Sequence, residues 1–230
     1  MKNLKANWPK NFPKPIYSNR FERNKYASIL IKKYFSDASS ILNIGGGGKR
    51  HLEKCFEENS NIKITEVDFS GNNDLNINLD KIDKLPFENN SFDISVALDS
   101  LEHFENFHGI FSEMFRISKK YIIISLPNSV ETFFEILKHA KEDDPKEKGY
   151  YTKFYGLPLG KPSDRHRWFL TVRDIERFFL KFLEDKNAEV QFITKHDVSF
   201  KKFLLTFFLS KRLKKELRYP FVWILIKKNK

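Results

Sequence analysis

The sequence predicts an α/β fold, a parallel sheet with helices on both faces, and three observations carry the prediction. Short apolar or alternating runs recur at 40–44, 62–67, 92–98 and 121–126, each the length of a strand. Segments with helical spacing or turn residues stand between them, and such strand–helix alternation implies right-handed crossovers. The run at 121–126, Tyr-Ile-Ile-Ile-Ser-Leu, is apolar enough for a strand buried on both faces.

The elements follow in order. Residues 1–20, with three prolines and scattered lysines, read as an extended arm. A helix is expected over 21–35, with Ile29, Leu30, Lys33 and Tyr34 near one face. The strand at 40–44 runs straight into Gly45, Gly46, Gly47 and Gly48, and a helix over 49–59 is expected beyond them, with Leu52, Cys55 and Phe56 on one side. The strand at 62–67 ends at Asp68; a turn at 71–74 leads to 75–79, and a helix over 101–118 follows the strand at 92–98. The second half predicts helices over 130–141, 171–184 and 200–217 and strands over 189–194 and 220–226. Thr171 and Asp174 have the spacing of a capping box. Between the helices at 130–141 and 171–184, the stretch 143–165 is rich in Pro, Gly and Tyr, and irregular connections of that length usually carry function or disorder.

Composition narrows the class. The 230 residues suit one α/β domain, and the 24 phenylalanines are expected to supply much of its core. No apolar run reaches the roughly 18 residues of a membrane span. The opening residues lack the apolar stretch of a secretory signal, and Cys55 stands alone; a cytoplasmic protein is expected. Charge is uneven: residues 1–33 carry nine Lys/Arg against one acid, and 195–230 carry eleven against two. Basic ends of this kind are either a solvated surface or a contact for anionic lipid or nucleic acid.

The chemistry gathers around the glycines. In an open parallel sheet ligands lie beyond the carboxyl ends of the strands, and glycines there let the backbone approach a ligand closely. Asp68, closing the next strand about 20 residues on, is placed to accept hydrogen bonds from ribose hydroxyls. A nucleoside-containing ligand follows from the pair. Two further blocks, Leu85-Pro-Phe87 with Ser91-Phe-Asp93 and then Leu101-Glu-His103, complete a pattern that resembles the class I S-adenosylmethionine-dependent methyltransferases. The likeness is to the small-molecule group that includes the ubiquinone-biosynthesis methyltransferases, and it covers roughly 38–128.

The resemblance implies a Rossmann-like sheet of seven strands, mostly parallel with an antiparallel last strand. It implies one domain: arm and helix over 1–36, cofactor-binding core over 37–128, substrate-side insertion and final strands over 129–230. S-adenosyl-L-methionine is the implied cofactor. Asn43, Gly45, Gly46 and Gly47 fall beside its methionine part, Asp68 at its ribose, Leu79 and Asp80 at its adenine, and Asp99 and Ser100 on the methyl side. Two positions depart from the pattern. Asn43 stands where the family has an acid and so lacks the charge that complements the cofactor's ammonium group; Lys49 replaces a third glycine.

For the acceptor side the readings divide. His103 is either a base for a hydroxyl or amine or a helix-start residue. In 164–169 (Asp-Arg-His-Arg-Trp-Phe), Arg165, His166 and Trp168 are either substrate contacts, suited to an acidic group, or a surface loop with its aromatics tucked inward. Tyr150, Tyr151 and Tyr155 are expected in a lid. Phe200, Phe203, Leu204, Phe207 and Phe208, ringed by lysines, are read as core packing in preference to an anionic membrane contact. Leu85-Pro-Phe87 reads as a structural turn, Phe92 as a core anchor, and Asp93 as the residue orienting the strand entry. The expected activity is in-line methyl transfer to a small-molecule, glycan or lipid-linked acceptor. A nucleic-acid-binding or RNA-modifying protein and a NAD(P)-dependent oxidoreductase are the rivals. The last needs a third glycine where Arg50 stands.

Overall fold

A computed structural model describes residues 8–9, 11–15, 19–56, 60–139, 166–194 and 198–229. Its centre is a seven-stranded sheet built from β1 (Ser40–Ile44), β2 (Lys63–Asp68), β3 (Leu75–Asn76), β4 (Phe92–Leu98), β5 (Ser118–Pro127), β6 (Ala188–Ile193) and β7 (Phe221–Lys228). The spatial order is β3-β2-β1-β4-β5-β7-β6. The first five strands pair in parallel, and β7 lies antiparallel between β5 and β6. The α/β class and the antiparallel last strand expected from the sequence are both present.

Successive residues of each strand alternate between two apolar layers. One layer joins Leu42, Ile44, Ala97, Ile122, Ile124 and Ile224 to α2 (Phe107–Ile117) and α4 (Val172–Phe182). The phenylalanines do fill it: Phe111 meets Phe179 and Phe182 with ring centroids 4.8 and 4.6 Å apart. The other layer joins Ile41, Ile94, Val96, Ile123 and Trp223 to α1 (Arg20–Tyr34). The arm crosses this face, where the Tyr26 hydroxyl donates to the Pro13 carbonyl at 2.8 Å and Phe12 is buried. Asp93 ties β4 to the entry of β1. Burial alone would raise its carboxyl, but the Ser39 amide at 2.9 Å and Lys120 at 3.2 Å hold it down at about 2.

Three expected helices come out differently. Where 49–59 was expected to be helical, the described residues hold one 3-10 turn, Glu53–Cys55. Gly45, Gly47, Gly48 and Arg50 all take left-handed backbone angles, so the chain keeps turning where a helix would start. The helix expected over 101–118 is a 3-10 turn, Leu101–His103, then a break at which Asn106 caps α2 through the Gly109 amide at 3.1 Å. The helix over 200–217 is two, α5 (Phe200–Thr206) and α6 (Lys211–Arg218), the second capped by Ser210.

The phenylalanine stripe of α5 is not core. Phe200 is 74% and Phe208 93% exposed. The helix is anchored by its polar residues instead: Lys202 reaches Glu131 and Glu135 on α3 (Ser129–His139), and the Arg218 guanidinium donates to the Thr206 hydroxyl at 2.7 Å. Among the described residues no helix is long and apolar enough to cross a membrane.

Candidate active site

The carboxyl ends of β1, β2 and β4 meet at one place. Gly45 leaves β1 at φ 71° with its amide donating to the Val67 carbonyl at 2.8 Å, and a Cβ there would overlap the Ser100 side chain. The Ser100 hydroxyl, buried, donates back to the Ile44 carbonyl at 3.0 Å. Gly48 is packed backbone to backbone on the loop after β2: an added Cβ would lie 2.7 Å from the Gly71 Cα. Only glycine fits these approaches.

Asp68 bridges the two loops. Its Oδ2 accepts the Gly47 amide at 2.7 Å and its Oδ1 the Phe69 amide at 2.6 Å. Beneath Gly46 lies a buried polar pair: the Asn43 side-chain amide donates to Glu66 Oε1 at 3.1 Å. The two residues face each other in the β1–β2 register. A Cβ on Gly46 would lie 2.9 Å from Glu66 Oε2, an oxygen with no hydrogen-bond partner among the described residues. Burial pushes the Glu66 carboxyl above its ordinary range, the Asn43 hydrogen bond pulling the other way. A carboxyl thus lies one strand over from Asn43 beneath the same glycine, a residue the sequence reading did not single out.

At the end of β4, Asp99 holds φ 47°, a conformation rare outside glycine. Strain of this kind collects at functional sites. The Ser125 hydroxyl donates to its Oδ1 at 2.7 Å, and Arg23 of α1 stands 3.6 Å from its Oδ2. Arg20, one helical turn away on the same face, covers Gly47, where its guanidinium would collide with any Cβ. The sequence reading singled out neither arginine; their i, i+3 spacing behind the Asn19 cap is the signal present in the sequence.

The 3-10 turn after Asp99 carries Glu102 and His103, and the two are joined by His166. The imidazole rings of His103 and His166 meet edge to face at 4.7 Å between centroids. Glu102 is 1% and His166 7% exposed. The incoming segment is fixed by the Arg167 amide on the Glu102 carbonyl at 2.7 Å and the Trp168 indole on the Phe104 carbonyl at 2.7 Å. Trp168 is tucked inward as one reading had it, whereas Phe169 is 55% exposed. Leu79 is buried in the core, and Asp80 accepts the Asn106 amide at 3.2 Å just beyond this turn. Leu85-Pro-Phe87 is a structural turn, its Leu85 amide held by Glu113 at 2.7 Å. Tyr150, Tyr151, Tyr155, Asp164 and Arg165 lie outside the described residues.

A seven-stranded sheet in this order, with a glycine loop on β1 and an acid closing β2, defines the class I methyltransferase fold. Residues 42–124 match the family model of a methyltransferase domain and lie within that fold. No curated protein matches the chain. Among solved structures it is similar to the plantazolicin methyltransferase BpumL in complex with a triazolic desmethylPZN analog and SAH. That match has a TM-score of 0.57 at 17% identity, over 91% of this chain and 84% of that one. The methyltransferase domain of bacterial-CtHen1-C gives 0.60 at 14%, over 92% and 100%. The small RNA methyltransferase HEN1 gives 0.57 at 15%, over 97% of this chain and 27% of its own. At these identities the likeness to solved structures is one of fold.

Proposed function

We propose that the protein transfers the methyl group of S-adenosylmethionine to a hydroxyl-bearing small-molecule, glycan or lipid-linked acceptor. The observation that supports this most is the junction of three strand ends. Gly45 rests on Ser100, Gly47 on Asp68, and the Glu102–His103–His166 cluster begins two residues past Ser100. In this reading Gly45, Gly46 and Gly47 let the methionine part approach the backbone. Asn43 and Glu66 place polarity and charge beneath it, and Asp68 holds the ribose hydroxyls. Leu79 and Asp80 border the adenine, and Asp99 and Ser100 face the methyl group. In the same reading His103 and His166 border the acceptor side, from which an oxygen would attack the sulfonium methyl in line and where its proton would be received.

Calorimetry of the full chain tests the cofactor. Adenosylmethionine and adenosylhomocysteine are expected to bind and NADH is not; binding of NADH alone would defeat the proposal. Tritiated methyl transfer into a fractionated cell extract then sorts acceptors. Label in low-mass or chloroform-soluble fractions is expected, and label in RNA would favour the nucleic-acid rival, RNA being the substrate named for the HEN1 neighbour.

One observation favours a lipid-linked acceptor reached at a membrane surface. Seven of the thirteen exposed large apolar side chains among the described residues lie between Phe200 and Leu213, with Lys201, Lys211 and Arg212 exposed beside them. Aromatic rings flanked by basic groups suit an anionic interface. Each phenylalanine buried contributes about 1.5–3 kcal/mol. Phe200→Glu and Phe208→Glu are each expected to reduce partition onto phosphatidylserine vesicles about tenfold or more. Equal partition of both variants and the parent would remove the membrane contact.

A further inference from the structure

The Glu102–His103–His166 cluster is arranged for more than proton transfer. One carboxylate oxygen and one nitrogen from each imidazole lie within 4.8 Å of one another. Ligands bound at about 2.1 Å around a tetrahedral ion are separated by roughly 3.4 Å, so a small torsional closure of three side chains brings them to one centre. Two of the three groups are at least nine-tenths buried, and they come from chain segments 63 residues apart. Two hydrogen bonds hold those segments together, the Arg167 amide to the Glu102 carbonyl and the Trp168 indole to the Phe104 carbonyl. Two imidazoles and a carboxylate are the donor set of a first-row divalent transition metal, whereas magnesium and calcium favour oxygen ligands.

We infer that Glu102, His103 and His166 form a binding site for a divalent transition-metal ion on the acceptor side of the methyl-transfer site. The role given to it rests on the methyltransferase reading; the binding itself does not. The cluster lies beside the cofactor loop because Ser100, which leads into its turn, is bonded to Ile44 and packed on Gly45. An acceptor hydroxyl coordinated there loses its proton to solvent far more readily than a free one, as metal-bound water does. The resulting oxygen anion then forms its O–C bond to the methyl carbon as the C–S bond breaks, and that electron pair returns to sulfur to give neutral adenosylhomocysteine. With both imidazoles as ligands, the metal takes the place of a histidine base.

The test loads the full chain with Co²⁺ and with Mn²⁺. About one equivalent is expected to survive dialysis, and Co²⁺ is expected to give the visible absorption of a nitrogen- and oxygen-ligated ion. His103→Ala, His166→Gln and the isosteric Glu102→Gln should each weaken metal affinity about 100-fold or more, while thermal midpoints and adenosylmethionine affinity stay near those of the parent. A parent chain that retains no metal, or folded variants that all bind it as the parent does, would overturn the site. Cofactor binding on the same samples keeps the two readings apart. Metal retention without adenosylmethionine binding leaves the site standing and removes the methyltransferase reading; the reverse removes the site alone.

Discussion

Replacing Asp68 by alanine is expected to weaken adenosylmethionine binding about 100-fold while leaving the fold in place. The carboxylate has two tasks on one side chain. It fixes the glycine loop through the Gly47 amide at 2.7 Å and its own turn through the Phe69 amide at 2.6 Å. It keeps further lone pairs for the two ribose hydroxyls assigned to it above. Hydrogen bonds to a charged group contribute about 1.5–3 kcal/mol each, and about 1.4 kcal/mol is tenfold in affinity. Loss of two such bonds, partly made good by water, therefore gives roughly two orders of magnitude. Asp68→Asn keeps one acceptor oxygen, so a loss nearer tenfold is expected. Calorimetric titration with adenosylmethionine reads both. An alanine variant within threefold of the parent would show that the ribose is held elsewhere.

How much of this site is legible in the sequence depends on whether local or tertiary forces place each part. The strands at 40–44 and 92–98 match β1 and β4 to the residue. Their ends are marked locally, by the glycine run in one case and by the Asn-Asn-Ser turn before Phe92 in the other. Thr171 caps α4 through the Asp174 amide at 3.0 Å because both partners lie within one turn. Helical spacing misled at 49–59. Leu52 and Phe56 do join the apolar layer behind α1, but the left-handed angles before them exclude a helix start. It misled again at α5, since periodicity locates an apolar stripe and says nothing about what covers it. Arg20, Arg23 and Glu66 were invisible as site residues for a related reason. The first two reach the loop only because α1 packs across the sheet, and the third only because β2 pairs with β1 in the register that sets it against Asn43. His103 and His166 were each singled out, but nothing between them in the chain announces that they touch.

Placing at position 43 the acid of the methyltransferases it resembles, Asn43→Asp, is expected to destabilise the protein by about 3 kcal/mol or more at pH 8, although it makes the glycine loop more like theirs. The Asn43 amide is the donor in the 3.1 Å bond to Glu66, and both side chains are buried. Aspartate would replace that donor with a second carboxylate, and two carboxylates sharing a dry site cannot both ionise. An uncompensated buried charge costs about 3–5 kcal/mol. The pH dependence has a fixed sign. Burial already raises the folded Glu66 carboxyl above its ordinary 4.5, and a neighbouring acid raises it further. The stability present below that ordinary value is therefore lost as pH rises through the folded one. Urea unfolding at pH 5 and pH 8 should show a wider gap for Asn43→Asp than for the parent. Asn43→Asp combined with Glu66→Gln exchanges donor and acceptor and should recover stability at pH 8 to within about 1 kcal/mol of the parent, since the site again holds one carboxyl hydrogen-bonded by one amide, as in the parent. A single variant as stable as the parent at pH 8 would mean that Asn43 and Glu66 do not share one buried charge site, and the substitution at position 43 would then need another cause.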